Sequence, residues 1–397
     1  MIDVAETAFV LAVVLAGLSL LYTAMCFVTA VAWRRRRADA SATALPPVTV
    51  LKPLCRLEPD LEANLRSFCE QMYPTVQLLF GARSGDDPAL EVARRVAAAF
   101  PERDIEVLSG ERALGGNRKV NTLANLLARA RHQVLVIADS DIRVGPTYLR
   151  DVVTPLRDAA VGLVTCTYRG APTRCFWSRL GALAIDEWVF PSVLVSLALG
   201  SSDYCSGATM ALRRETLEAI GGFAALAPWL ADDHELGARV CALGLRTVVS
   251  RYEVTTTVHE PSFQALFAHE LRWLRTIRTS QPLGHAFLFI TYVVPMTLLT
   301  LPFAPRHPWA LALPLLGLAL RVAVHYLVQY PVLSDARVPP RTLAGDRGSV
   351  WLIPLRELLS LGVWIASFAG LRVIWREGAL QVRSNGTLFG DDERTLA

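Results

Sequence analysis

The amino-acid sequence predicts an α/β protein, with a mainly parallel sheet covered by helices and apolar membrane-spanning segments at both ends. Short β-branched runs alternate with helical patterns from about Pro46 to Glu260, the arrangement that builds a helix-covered parallel sheet. Long apolar segments flank that region on both sides. Hydrophobic residues make up 52% of the 397 residues and mean hydropathy is +0.35, high for a wholly soluble chain.

Phe9 to Trp33 is about 25 residues of nearly unbroken apolar character, enough to cross a bilayer. Asp3 and Glu6 precede it and Arg34 to Arg37 follow it. Because arginines favour the cytoplasmic side, this order predicts an uncleaved anchor with its N-terminus outside and the following domain cytoplasmic. The strands are predicted at Val48–Leu54, Val76–Ala82, Asp104–Ser109, His132–Asp141 and Val161–Tyr168. Between them lie helical patterns at Leu61–Gln71, Pro88–Ala99 and Asn121–Arg131. In such sheets ligands bind beyond the carboxyl ends of the strands.

Phe263, Leu266, Phe267, Leu271, Trp273, Leu274 and Ile277 fall on one broad face at ~100° per residue. Arg272 points nearly opposite it, so the stretch reads as an amphipathic helix in the membrane interface, its arginines among lipid headgroups. Glu270 breaks the pattern, as a functional group or a buried ion-pair partner. Gly284–Ala304 and Trp309–Gln329 are two further span candidates, and Val350–Trp375 is a weaker third, interrupted by Arg356 and Glu357. Three full spans after a cytoplasmic domain would leave the tail outside, yet Arg376 and Arg383 prefer the inside; one of the three is therefore expected to be re-entrant or interfacial. The chain thus divides into an N-terminal anchor (1–37), a catalytic-type domain (46–260), an interface helix (261–283), a C-terminal membrane region (284–375) and a tail (376–397), with an Ala-rich linker at Ala38–Ala44.

Net charge is only +4, from 40 Lys+Arg against 36 Asp+Glu, and Lys52 and Lys119 are the two lysines. So small an excess with one short basic run excludes a nucleic-acid binder. The seven cysteines form no CxxC pair and none lies near a histidine at zinc-finger spacing, so they read as reduced thiols. There is no phosphate-binding loop, GxGxxG after a strand, GxSxG or HExxH.

Three acidic sites and one basic one carry chemistry. Asp139 and Asp141 follow an apolar strand; two carboxylates so close repel unless a cation neutralises them, which fits a hard divalent ion, though strand-end aspartates also cap turns. Asp86 and Asp87 precede Pro88, where an aspartate is a good N-cap. Asp232, Asp233 and Glu235 open a helix, where a carboxylate serves as a general base or favours the helix N-terminus. Arg272–Trp273 is the fourth.

In this order, "VLKPLCRLEPDLEANLRSF", "DDPA", "NRKVN", "DSDIRV", "GGF" followed by "LADD", and "HELRW" resemble the landmarks of the ceramide glucosyltransferase family, family 21, among the inverting family-2-like glycosyltransferases with a GT-A fold. The resemblance covers nearly the whole chain. That family is marked by three separated aspartates and a (Q/R)xxRW motif; carried over, these match Asp87, Asp139, Asp233 and Arg272–Trp273. His269 departs from the motif's Gln or Arg, which weakens the expected phosphate contact there. "VTCTYRGAPTRCFWSRLGAL" and "HELRWLRTIRTSQPLGHAF" look closer to the bacterial branch, hopanoid-biosynthesis glycosyltransferases.

The resemblance implies inverting transfer from a UDP-sugar to a lipid hydroxyl in the bacterial inner membrane: N-acetylglucosamine to bacteriohopanetetrol, or sugar to ceramide. Asp87 would hold the nucleoside end of the donor. Asp139 and Asp141, through Mg2+ or Mn2+, would neutralise the diphosphate, Asp233 would act as base, Arg272 would stabilise the departing UDP, and Trp273 would close the site. A processive polysaccharide synthase shares these motifs but needs more spans for a channel. A transporter or scaffold would place polar groups inside its spans, and these have few.

Overall fold

The computed structural model describes residues 4–35, 45–201, 204–329, 347–370, 372–375, 378–381, 383 and 385–388. Arg36, Arg37, the Ala38–Ala44 linker and Arg376 lie outside the described residues. An eight-stranded sheet organises the central region. Its strands are β1 (Val48–Leu54), β2 (Val76–Ala82), β3 (Asp104–Ser109), β4 (Val134–Ile137), β5 (Ile142–Arg143), β6 (Val161–Pro172), β7 (Met210–Arg213) and β8 (Arg246–Val258), in the order β3-β2-β1-β4-β7-β6-β8-β5. β3, β2, β1 and β4 are mutually parallel, with Val48 opposite both Val76 and Val134. β7 runs against both β4 and β6, and β5 runs against β8, while β6 and β8 are parallel. Six strands therefore share one direction, and their carboxyl ends meet along one edge.

Every residue of β1 is buried, including Lys52, as expected of a strand covered on both faces. Alternation sends Val50 into a core with Leu65, Phe80 and Leu90, and Leu51 into a second core with Leu79, Leu123 and Leu135. Helices α1 (Val4–Arg35), α2 (Leu61–Cys69), α3 (Pro88–Ala99) and α4 (Arg118–Leu127) precede β4. α3 begins after Asp87, whose side chain accepts from the Ala89 amide, with Pro88 at the first turn; α4 begins after Asn117, which accepts from the Val120 amide.

After β6 come α5 (Phe176–Ala198, with a π-helical stretch at Ile185–Val189), α6 (Asp232–Ala242), α7 (Phe263–Ser280), α8 (Ala312–Val328) and α9 (Ile353–Ser367). Among the described residues, four helical stretches are long and apolar enough to cross a membrane: Val4–Arg35, Phe176–Ala198, Pro308–Val328 and Ser349–Ser367. The second was not anticipated, and it lies largely buried inside the protein.

Three expectations are corrected. Gly284–Ala304 is not one helix but a series of short helical turns, Pro282–Ala286, Leu288–Thr291, Val293–Leu298 and Leu301–Phe303; Pro295 and Pro302 each remove a backbone donor and block continuation. Val350–Trp375 does not remain helical: α9 ends at Ser367, and β9 (Arg372–Trp375) pairs antiparallel with β10 (Gly378–Gln381). The strand expected over His132–Asp141 stops at Ile137, which frees the aspartates beyond it.

α7 buries Leu266, Glu270 and Leu274 against the protein. Glu270 accepts from both terminal nitrogens of Arg356 on α9, at 2.6 and 2.7 Å, and is thus a buried ion-pair partner. Arg321 of α8 pairs with Glu357 of α9 at 2.7 Å, and His325 of α8 with Glu187 of α5 at 2.5 Å. Paired charges of this kind join helices where an unpaired one would be costly. Arg275 donates to the Ala369 carbonyl and Arg278 to the Ser367 and Gly370 carbonyls. These two arginines cap the carboxyl end of α9, where cations complement the helix dipole, a role that helical periodicity did not indicate.

Candidate active site

The common edge of the sheet collects the acidic groups. Asp87 follows β2 and Asp139 follows β4, while Gly207 lies just before β7, which enters from that same edge. β6 and β8 end there too, and the chain continues from β8 through Glu260 into α7, whose Arg272 acts electrostatically on Tyr168 of β6.

Lys119, in the first turn of α4, is the hub. Its ammonium lies 2.8 Å from Asp139 Oδ1 and 3.4 Å from Asp232 Oδ2. Burial alone would lower its pKa, but Asp139, Asp232 and Asp233 outweigh that and raise it. Asp232 is buried, and burial, opposed by Lys119 and helped by Asp233 and Asp139, pushes its carboxyl up to about 6. Asn117, the α4 cap, also donates to Asp232 Oδ1 at 3.3 Å and to the Trp229 carbonyl at 2.9 Å. The segment Asn117–Lys119 thereby ties the end of the sheet to the start of α6.

Asp233 is fixed by two backbone amides: Gly207 N–H donates to Oδ2 and His234 N–H to Oδ1, each at 2.8 Å. Each oxygen keeps a further lone pair for a proton. Gly207 is required by space. A Cβ there would stand 3.0 Å from Asp139 Oδ2, 3.1 Å from the Lys119 amine and 3.5 Å from Asp233 Oδ2. Its missing side chain leaves a cradle between the two carboxylates and the amine.

Lys52, buried in β1, donates to the carbonyls of Asp139 at 2.6 Å and Ile142 at 3.3 Å and lies over the Phe68 ring. Burial lowers its pKa to about 7 against the pull of Asp141, Asp139 and Glu58. Lys52 thus fixes the backbone of the DSD turn, and Thr256 of β8 donates to Asp141 Oδ2 at 2.9 Å. Burial also raises the Tyr168 phenol; Asp233, Asp141 and Asp139 raise it further and Arg272 lowers it, so Tyr168 lies within the field of all four.

Asp87 lies apart, over β2. Its carboxylate accepts from Ala89 N–H and from Arg56 N–H, at 3.0 Å to the nearer oxygen of the latter, so it both caps α3 and fastens the loop after β1. Asp86 is exposed. Trp273 packs beside Tyr168, Ala182, Ile185 and Val258, with the His269 ring 4.6 Å away edge-on. His269 Nδ1 is 2.6 Å from Glu260 Oε1, so the residue that departs from the motif is engaged by a carboxylate.

Sequence reasoning assigned no role to Lys52, Lys119, Asn117 or Tyr168, whereas the glycines of Ser206–Phe223, Gly207 among them, read as places of close backbone approach. A signal for the first two was present: in a chain that otherwise uses arginine for all its basic side chains, a lysine marks a place for a compact ammonium rather than a planar fork. Among the described residues, no cluster of three or more His, Cys, Asp or Glu side chains is placed to hold a metal ion. Asp139 nonetheless supplies a hard oxygen donor beside the Gly207 cradle, and Asp141 a second one two residues along the same turn. That fits a divalent ion bound by one or two carboxylates whose remaining ligands are phosphate oxygens and water.

A family model described as glycosyl transferase family 21 matches residues 11–388. Ceramide glucosyltransferase 3 of Caenorhabditis elegans is 24% identical over 238 residues, covering 59% of this chain and 51% of that protein. Ceramide glucosyltransferase 1 of the same organism is 26% identical over 240 residues, covering 58% and 50%. The chain thus spans about half the length of the curated relatives it matches. A mannosyltransferase from Pyrobaculum calidifontis, solved with GDP-Man and Mn2+, superposes with a TM-score of 0.54 at 19% identity, over 91% of this chain and 99% of that one. This likeness establishes the GT-A glycosyltransferase fold.

Proposed function

Because the chain belongs to glycosyl transferase family 21 and is a glycosyltransferase, we propose that it transfers a sugar, with inversion, from a UDP-sugar to the hydroxyl of a membrane lipid. The observation that carries this is the convergence of Asp139, Asp232 and Asp233 on Lys119 around the side-chain-free Gly207, with Tyr168 in the field of both Asp233 and Arg272.

Asp233, held by two amides, takes the proton from the attacking lipid hydroxyl, a contribution of typically 10²–10⁴-fold. Arg272 and Lys119 place positive charge where the diphosphate leaves. Asp139 and Asp141 are the residues that would hold Mg2+ or Mn2+, which when bound adds charge neutralisation at the diphosphate. Asp87 supports the nucleoside end, and Trp273 excludes water above the sugar.

For the acceptor, the segments Val164–Leu183 and His269–Phe287 favour bacteriohopanetetrol with UDP-N-acetylglucosamine as donor. A second reading, ceramide with a hexose donor, is favoured by the curated relatives named ceramide glucosyltransferases. The protein would be a multi-pass protein of the bacterial inner membrane with its sheet domain cytoplasmic. With Gly284–Ala304 broken, α1, α8 and α9 remain as spans, and the tail returns to the cytoplasmic side, where its arginines belong.

Incubating the purified full chain with each UDP-sugar and each lipid, then detecting glycosylated lipid by mass spectrometry, tests this. A glycosylated hopanoid polyol supports the first acceptor and a glycosylceramide the second; hydrolysis or polymer formation without lipid product contradicts the proposal.

A further inference from the structure

A crevice lies between α5, α7, α9 and the broken segment before α8, lined by Trp188, Glu270, Trp273, Leu274, Tyr292 and Ser360 among others. Its polar walls are unequal. Glu270 is consumed by Arg356, and Ser360 bonds the same guanidinium, at 3.0 Å from Arg356 Nη2. Tyr292 is only 1% exposed, yet its hydroxyl makes no hydrogen bond to any described residue. The Trp188 indole N–H is likewise buried without a partner among the described residues. The rings of Trp188 and Tyr292 face one another at 6.4 Å between centroids. A donor buried without an acceptor, as the Trp188 N–H is, costs stability unless something supplies oxygen.

Two features give the crevice a direction. Trp188 belongs to the π-helical stretch Ile185–Val189, an irregularity that re-aims side chains and is frequent at functional sites. Trp273 is shared between the crevice and the packing around Tyr168, which itself lies in the field of Asp233 and Arg272. The crevice is therefore one tryptophan away from the aspartate cluster. The elements that line it and the turns between them also carry exposed apolar side chains, Phe263 on α7, Leu283 and Phe287 after it, and Leu355 and Leu358 on α9, which suit hydrocarbon.

We infer that this crevice is the acceptor subsite. It receives the polar junction of an amphiphilic lipid through hydrogen bonds from the Tyr292 hydroxyl and the Trp188 N–H to lipid oxygens, while the hydrocarbon lies against the exposed apolar residues and the reacting hydroxyl passes Trp273 toward Asp233. The inference rests on the lipid-acceptor reading above and adds to it the residues that recognise the lipid. The occupant is a lipid carrying hydroxyl or amide oxygens next to its hydrocarbon, a chemistry shared by ceramides and hopanoid polyols.

Kinetics and cross-linking on the full chain test it together. Tyr292→Phe and Trp188→Phe each remove one donor and keep the ring, and each is expected to raise KM for the lipid about 3- to 10-fold, leaving KM for the UDP-sugar and the melting temperature unchanged. A diazirine-bearing ceramide in phosphatidylcholine vesicles is expected to label peptides containing residue 188, 273 or 292, and excess unlabelled ceramide or hopanoid polyol to compete. Unchanged lipid KM in both variants, or labelling elsewhere, overturns the subsite. A shift in donor KM and melting temperature instead of lipid KM assigns these residues a structural role and also overturns it. Competed labelling at the crevice with no sugar transfer by the unaltered chain would leave the subsite standing and remove the reaction.

Discussion

Lys52 and Lys119 both place their amines among the aspartates, one beneath the DSD turn and one within the acidic cluster. Lys119→Met leaves Asp139, Asp232 and Asp233 facing one another without the ammonium, and is expected to cut kcat/KM at least ~10-fold. Lys119→Arg should not restore it, because a planar fork does not fit a place where a single added carbon on Gly207 would lie 3.1 Å from the amine. Steady-state kinetics of both variants check this. Lys52 carries a pH prediction. In the fold it loses its proton near pH 7, whereas the unfolded chain keeps it to 10.5. The unfolded state therefore binds more protons between those values, and stability rises with pH across that window. Lys52→Met should flatten this rise in thermal melts from pH 7 to 10; an unchanged slope would show that Lys52 does not titrate there. At this scale the sequence was half legible. Acidic motifs advertise themselves by repetition, whereas a lysine inside a hydrophobic strand reads as an interruption, and Gly207 acquires meaning only once β7 carries it between β4 and β6.

Among elements, α7 is the joint between the sheet and the membrane helices. Its buried Glu270 grips Arg356 of α9 from two sides, while Arg275 and Arg278 cap the end of α9. Glu270→Gln keeps the shape and removes the charge, leaving Arg356 buried and unpaired, a loss of about 3–5 kcal/mol. Replacing both by methionine should recover most of that stability. Detergent-solubilised melts decide this: equal melting temperatures for the single and double variants would refute the pairing. Periodicity identified α7 and its broad apolar face correctly, but three-dimensional packing chose its partner. An amphipathic helix that faces protein and one that faces lipid have the same pattern, so the bonds of Arg275 and Arg278 to the end of α9 were not legible in it. Likewise Phe176–Ala198 hid among the strands because its charged Asp186 and Glu187 interrupt its apolar run; both are satisfied in the fold, Asp186 by the Gly170 amide and Glu187 by His325.

On the scale of the whole molecule, β1, β2 and β3 were legible residue for residue, because short β-branched runs between turn residues leave little choice of boundary, whereas β4 is shorter than expected at both ends. β7 and β8 were missed: β7 is four residues long and β8 carries polar residues on alternate positions. The proposed topology puts Cys55, at the exit of β1, on the cytoplasmic side. A membrane-impermeant maleimide should modify the Cys55 peptide in inside-out vesicles and spare it in sealed right-side-out ones; the reverse would invert the topology. The sheet assembles the acidic edge, and in the proposed reaction Asp233 is the group on that edge that meets the lipid hydroxyl. Its replacement is the most direct test. With a UDP-sugar and the accepted lipid, Asp233→Asn is expected to lose transfer by 10²-fold or more while still binding the nucleotide, since the amide oxygen can still accept from one of the two N–H groups, Gly207 or His234, that hold Asp233. Full lipid glycosylation by Asp233→Asn would contradict the account.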